Sequence, residues 1–290
     1  MKGFRFPSSN YFFMRLLVFS LIAFSFLHAL ALKADRNSTF CLEAGGVVVD
    51  TLPETLTAKE VALGVRDAAL IDLFMPRMPG FGESSAEMLR EQSVKPFLLP
   101  VRSQQVYAAE FCQVLADAME FYLNYDQNYK QNLSPDFLLL NMVKPELRHA
   151  LEILAEEGTV DAAFVPYGTR SLPAALRSVP HYKLVNFLEL YHTGSRPTQK
   201  IFATRKSLMR GNPVVVLLKT EGDLLPVLPK YAAGENLHPF LVVGFDQEKQ
   251  AFELRSAFGA QWGRFGYAWL DYKSFSKIAV EGYVLVPEEK

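Results

Sequence analysis

The apolar pattern of this chain changes near residue 160, and this change constrains the fold more than any other sequence feature. Before it, apolar side chains from Tyr107 to Tyr125 recur every three or four residues, which is typical of a helix packed along one side. A second helix is predicted from Pro145 to Glu157, because proline suits a first helical turn and Gly158 suits the position after the last.

Beyond residue 160 the sequence contains short apolar runs that are typical of strands. The runs cover residues 162–165, 200–203, 213–218, 239–245, 251–254, 266–270 and 282–286. Among them only residues 207–210 have a helical pattern. A helical half with a long central helix, followed by an antiparallel sheet or barrel half, predicts an α+β fold.

Composition narrows the classes of partner. Half of the 290 residues are hydrophobic, so the chain can bury one or two cores. Thirty basic residues stand against 31 acidic ones without a long basic block, which argues against nucleic acid. The histidines at 149, 181 and 192 show no metal-ligand spacing. We therefore expect no metal, no cofactor and no nucleic-acid partner.

Residues 1–31 have the pattern of a signal peptide. Three basic residues precede an apolar run at residues 16–27, and Ala29-Leu30-Ala31 matches a cleavage site. This predicts a secreted or periplasmic mature protein that begins near Leu32. The run is short for a membrane span, so an uncleaved anchor at residues 16–31 is the alternative, and only then would a membrane be a partner.

Several further blocks carry a family resemblance. Residues 100–112 read Pro-Val-Arg-Ser-Gln-Gln-Val-Tyr-Ala-Ala-Glu-Phe-Cys and lead into the long helix, and Leu133-Ser134-Pro135 and Pro166-Tyr167 follow. Residues 238–246 read His-Pro-Phe-Leu-Val-Val-Gly-Phe-Asp, and residues 255–267 contain Trp262-Gly263. From about residue 95 to the C-terminus, these blocks resemble those of papain-like (C1 family) cysteine peptidases of the bacterial type, in the same order.

The resemblance implies a papain-like domain at residues 94–290. Its helical half would span about residues 94–160 and its β half about residues 161–290. Residues 32–93 would precede it as an irregular segment with a short strand at Val47–Val49.

The resemblance also assigns roles to four positions. His238 matches the general base, and Gln104 matches the glutamine whose side-chain amide helps form the oxyanion hole. The nucleophile should stand six residues after Gln104, where this chain has Glu110. The asparagine that orients the histidine ring is replaced by Ser256. Two of the three catalytic positions are therefore changed, as in a pseudopeptidase.

These replacements matter chemically. The family needs a thiolate at a helix start, where backbone N–H groups and an imidazolium stabilise it. A carboxylate suits that position electrostatically, but it attacks a peptide carbonyl poorly because the mixed anhydride lies uphill of the amide. Glu110 is expected to pair with a protonated His238. Ser256 is shorter than asparagine and is expected to hold the ring less firmly.

Cys112 is the alternative nucleophile. It lies two residues beyond Glu110, so on a helix it is rotated by roughly 200° from that position. We expect a buried apolar cysteine, with a shifted register or a disulfide to Cys41 as the alternatives. Residues 141–145 also replace the glycine pair that borders the family's substrate groove.

The sequence thus predicts an exported papain-like protein that lacks peptidase activity and binds a peptide or protein partner. The alternative is an active cysteine peptidase that uses Cys112 and His238. A third hypothesis gives Glu110 and His238 a different acid–base reaction.

Overall fold

The structure is a computed structural model. It describes residues 40–42, 47–49, 56–82, 90–104, 106–125, 127, 130–220 and 224–288. The expected signal segment 1–31 lies outside these residues, as does the side chain of Cys41. The chain divides into two compact units, residues 1–56 and 57–290. In the first, strands β1 (Phe40–Leu42) and β2 (Val47–Val49) form an antiparallel pair.

Six helices are found in the described part of the second unit. They are α1 (Ala68–Phe74), α2 (Tyr107–Asn124), α3 (Pro135–Asn141), α4 (Leu147–Glu156), α5 (Pro197–Met209) and α6 (Tyr272–Ile278). Two 3-10 segments span Lys95–Phe97 and Ala174–Ser178. Helices α2 and α4 lie where the apolar spacing predicts them.

Local sequence signals define the ends of two helices. Ser134 caps α3 by accepting a hydrogen bond from the Phe137 N–H at 3.1 Å, and Pro135 occupies its first turn. The chain leaves α4 through Gly158, whose φ is +76°. A Cβ atom at that position would lie 2.7 Å from the Tyr182 carbonyl oxygen, so only glycine fits.

Seven strands form one antiparallel sheet. They are β3 (Glu91–Ser93), β4 (Leu184–Tyr191), β5 (Val214–Lys219), β6 (Leu237–Asp246), β7 (Ala251–Arg255), β8 (Tyr267–Asp271) and β9 (Ala279–Pro287). Their order is β4-β9-β5-β6-β7-β8, and β3 pairs with β6 beyond the end of β5. Helices followed by an antiparallel sheet confirm the predicted α+β class.

Two segment predictions were wrong and one strand was missed. Residues 200–203 belong to helix α5 instead of a strand, residues 162–165 form a turn, and strand β4 was not predicted. In α5 the inward face carries Lys200 and Thr204 while Phe202 points outward, so the apolar residues do not mark the buried side. Without that periodicity, the apolar run alone favoured a strand.

Helix α2 crosses the core between the other helices and the sheet. It contacts α3 and α4 on one side and strands β5, β6 and β9 on the other. Its buried residues Leu115 and Met119 belong to the same apolar cluster as Val215 and Leu241 of the sheet. This packing brings the first turn of α2 to the start of β6.

Candidate functional site

The structure brings Glu110 and His238 together. Glu110 lies in the first turn of α2, and His238 is the second residue of β6. The Glu110 Oε2 and His238 Nδ1 atoms are 2.7 Å apart, and both side chains are completely buried. A carboxylate therefore contacts the imidazole at the helix start, where the resemblance places a thiolate.

Aromatic rings surround the histidine. The rings of Tyr107 and Phe258 meet the imidazole edge to face, with centroids 5.4 and 5.6 Å away. Tyr107 also donates a hydrogen bond from its hydroxyl to the Leu237 carbonyl at 2.8 Å. Tyr231, in the connection between β5 and β6, packs on Phe258 with ring centroids 6.3 Å apart.

Sequence reasoning missed both tyrosines of this shell. Tyr107 stands one helical turn before Glu110, and this spacing was a signal that could have identified it. Tyr231 lies in a loop, where no periodic pattern indicates that a side chain packs inward.

Burial dominates the electrostatics of the site. It raises the pKa of Glu110 above its usual value, although the hydrogen bond and charge of His238 lower that pKa and offset part of the effect. Burial also raises the pKa of Tyr107 to about 12, with further contributions from Glu235 and Glu110. The Tyr231 pKa is raised by burial and by the Glu110 charge. The site therefore disfavours additional negative charge.

Ser256 does not take over the role of an orienting asparagine. Its hydroxyl donates to the Gly266 carbonyl and accepts from the Phe258 N–H, each at 3.3 Å. Within the described residues, His238 Nε2 has no hydrogen-bond partner. The same is true of the second Glu110 oxygen, the Tyr231 hydroxyl and the Trp262 indole N–H. Ring packing and Glu110 therefore hold the imidazole.

Gln104 is bound to helix α2. Its amide donates to Gln113 Oε1 at 2.9 Å, and the Gln113 amide donates to Asp117 Oδ1 at 2.7 Å. Asp117 is also paired with Arg102 and Arg255, both at 2.7 Å. Burial alone would raise the Asp117 pKa, but the two guanidinium groups outweigh it and hold the pKa below its usual value. The oxyanion-hole position is thus linked to a buried charge network.

Cys112 lies away from the pair formed by Glu110 and His238. It is a free, completely buried thiol whose Sγ lies 3.8 Å from the Ala108 carbonyl oxygen of the same helix. Burial raises the pKa of this thiol far above its usual value, and Asp136 adds to the effect. A thiol in this environment stays protonated at neutral pH.

Side chains occupy the segment where the resemblance expects two glycines. Asn141 donates its amide to the Phe137 carbonyl at 2.8 Å, and Met142 caps the end of α3. Val143 is 85% exposed, so its isopropyl group projects into solvent. The segment therefore lacks the bare backbone that a pair of glycines would provide.

Neither a metal-binding cluster nor a membrane-spanning helix is present among the described residues. No group of three or more histidine, cysteine or acidic side chains is arranged to hold a metal ion. No helix in the same ranges is long and apolar enough to span a bilayer. Residues 16–31 lie outside those ranges.

Comparison with known proteins gives structural matches only. No known family profile matches the sequence, and no curated protein matches it. The structure resembles xylellain, a cysteine protease from Xylella fastidiosa, with a TM-score of 0.56 and 18% identity over 82% of this chain and 100% of that chain.

Two further solved structures are similar. The Carica candamarcensis cysteine protease CMS1MS2 gives a TM-score of 0.52 at 16% identity, covering 68% of this chain and 98% of that chain. Procathepsin L 3 of Tenebrio molitor gives 0.54 at 15% identity, covering 75% and 78%. At these identities the likeness concerns the fold. The chain has the fold of papain-like cysteine proteases.

Proposed function

We propose that this chain is an exported papain-like protein without cysteine-peptidase activity, and that it acts by binding a peptide or protein partner. The observation that carries the proposal is the buried contact of 2.7 Å between Glu110 and His238. A carboxylate bound to the imidazole at the start of α2 is a weak nucleophile, which supports the absence of thiolate chemistry there.

The chemistry of the pair supports this proposal. Peptide hydrolysis through an acyl-enzyme needs a nucleophile whose acyl product forms readily and is then cleaved by water. Attack by Glu110 would give an anhydride, which is less stable than the amide it replaces. The pair is also excluded from solvent, since both side chains are completely buried. A substrate carbonyl would need the surrounding rings to move before it could reach either group.

The alternative peptidase would use Cys112. Its burial and raised thiol pKa weigh against a thiolate, and His238 Nδ1 is already bound to Glu110. The sequence position of Cys112 also places it on another face of α2. No observation favours this alternative over the inert site.

Partner binding is proposed because the papain-like fold is retained although Glu110 and Ser256 stand where the family has its nucleophile and its orienting asparagine. Export is proposed from the N-terminal pattern of basic and apolar residues. The balanced charge argues against nucleic acid as the partner.

Labelling with a thiol-directed epoxide probe tests the inert site. The purified chain should not be labelled under conditions in which the Xylella fastidiosa cysteine protease is labelled fully. A Cys112→Ala variant should behave like the parent chain. Labelling of Cys112 that disappears in a His238→Ala variant would contradict the proposal and support the peptidase.

A further inference from the structure

The outward face of helix α5 carries an exposed aromatic ring between two cavities. Phe202 is 66% exposed. A cavity of about 160 Å³ lies between it and helix α1, lined by Ile71, Met75 and Leu190 among others. A second cavity of about 340 Å³ is lined by Phe202 and Met209 with neighbouring basic residues. We call these two cavities with Phe202 the α5 groove.

The polarity of α5 is partly inverted. Its buried side includes Lys200, whose ammonium group donates to the Ala279 carbonyl at 2.6 Å, together with Thr204 and Ser207. A helix that only packs against a core turns its apolar residues inward. Here the largest apolar side chain of the helix faces outward, where it lines both cavities.

The rim of the α5 groove is basic. Arg205, Lys206 and Arg210 follow Phe202 at helical spacings of three, four and eight residues. Of the described residues that line the two cavities, Asp72 is the acidic one, and it contacts Lys206 at 2.5 Å and Arg210 at 3.7 Å. Among the described residues that line the two cavities, three basic side chains against one acidic side chain leave an excess of two positive charges.

We propose that the α5 groove binds an acidic amphipathic segment of a partner protein. Apolar anchors of the segment would enter the cavities beside Phe202, and its carboxylates would meet Arg205 and the partly neutralised Lys206 and Arg210. The α5 groove would be the surface that binds the partner proposed above, so the inference rests on that part of the proposed function. It does not depend on whether Glu110 and His238 are catalytically inert.

The shape of the surface favours a peptide over a membrane. Membrane-binding helices present projecting apolar residues to a lipid plane. Phe202 instead stands between two cavities of about 160 and 340 Å³, which offer space for side chains. Met75 and Met209 line them, and methionine side chains adapt to varied partners.

Fluorescence anisotropy tests the proposal with the full chain. The probe is a short fluorescein-labelled peptide in which pairs of glutamates alternate with leucine and phenylalanine. We expect saturable binding that Phe202→Ala and Lys206→Glu each weaken by about ten-fold or more, as truncation of an interface anchor does. Val227→Ala is the matched control, because Val227 is 92% exposed elsewhere and its loss should leave binding unchanged.

Three results of the peptide titration would overturn the proposal. They are the absence of saturable binding, equal binding by the parent chain and both groove variants, and equal binding of a peptide with lysines in place of the glutamates. Sedimentation with vesicles of anionic phosphatidylserine that requires Phe202 would also overturn it in favour of a membrane. Epoxide labelling of the same samples reports separately on peptidase chemistry at Cys112, so each proposal fails by its own measurement.

Discussion

A His238→Gln substitution should make the stability of the fold strongly dependent on pH. The change removes the imidazole partner of Glu110 but keeps a side chain that donates a hydrogen bond. In the parent chain the two groups are 2.7 Å apart and completely buried. In the variant the Glu110 carboxyl either stays charged without a cation or takes up a proton.

The size of the expected loss of stability follows from this geometry. At an effective dielectric constant near 20, two unit charges at this separation attract by about 6 kcal/mol, which is an upper bound. Removing one member of a buried pair costs about 3–5 kcal/mol. Loss of the ring contacts with Tyr107 and Phe258 adds about 1 kcal/mol at every pH.

Protonation of Glu110 limits the loss at low pH. Burial raises the Glu110 pKa, and His238 partly offsets this rise, so the variant should have a higher folded-state pKa than the parent chain. A raised folded pKa stabilises the fold fully below the unfolded value, near ~4.3, and this stability is lost as pH rises through the folded value. The slope is at most about 1.4 kcal/mol per pH unit. The variant should therefore lose about 3–5 kcal/mol at pH ~8 and far less at pH ~4.5.

Urea unfolding of both chains at the two pH values measures the difference. Tryptophan fluorescence is a suitable signal because Trp262 packs on Phe258, with ring centroids 5.7 Å apart. A double variant with Glu110→Gln and His238→Gln has no charge to bury, so the pH dependence of its stability difference should disappear. Equal losses for the single variant at both pH values would refute the reasoning. So would a double variant less stable than the single variant at the higher pH.

Three further predictions concern stability. Phe265 has φ +57° in the tight turn before β8 and is 76% exposed. Phe265→Asn should therefore raise the free energy of unfolding by about 1 kcal/mol in urea titration. A lower free energy of unfolding would contradict this account of the turn. Arg255→Met removes a buried partner of Asp117 and should cost about 3–5 kcal/mol. The control Lys59→Met, at a side chain 77% exposed, should change stability by less than about 0.5 kcal/mol, and equal effects would refute the assigned role of burial. Gly282→Ala places a Cβ atom 2.3 Å from the ring of Tyr191, its partner on β4. The change should cost about 1–3 kcal/mol of stability, measured as a fall in Tm. An unchanged Tm would contradict this prediction and show that the ring can move.

The sequence predicted the elements whose local pattern agrees with their environment. Helix α2 was predicted because its apolar residues recur with the helical period, and most strands were predicted because they are apolar runs buried in a sheet. The fold class followed from the order of those elements. The position of Glu110 followed from its spacing to Gln104 within a block that resembles the family.

Other features have no local signal. Tyr231 enters the site from a loop, and α5 combines an inward Lys200 with an outward Phe202, so its apolar pattern does not show which face is buried. The α5 groove needs helix α1 as its second wall. Because α1 lies far from α5 in the sequence, no local pattern indicates that the two helices meet. These features depend on which elements pack together.

Taken alone, the sequence determined that this chain forms helices before an antiparallel sheet, and that a glutamate stands where the family resemblance expects a nucleophile. These facts follow from residue order and short-range spacing, which a linear sequence contains. The tertiary structure decided that Glu110 meets His238 without solvent, that Ser256 bonds elsewhere, and that Phe202 stays exposed. Burial and contacts between distant residues arise only when the elements pack, so no local pattern could specify them.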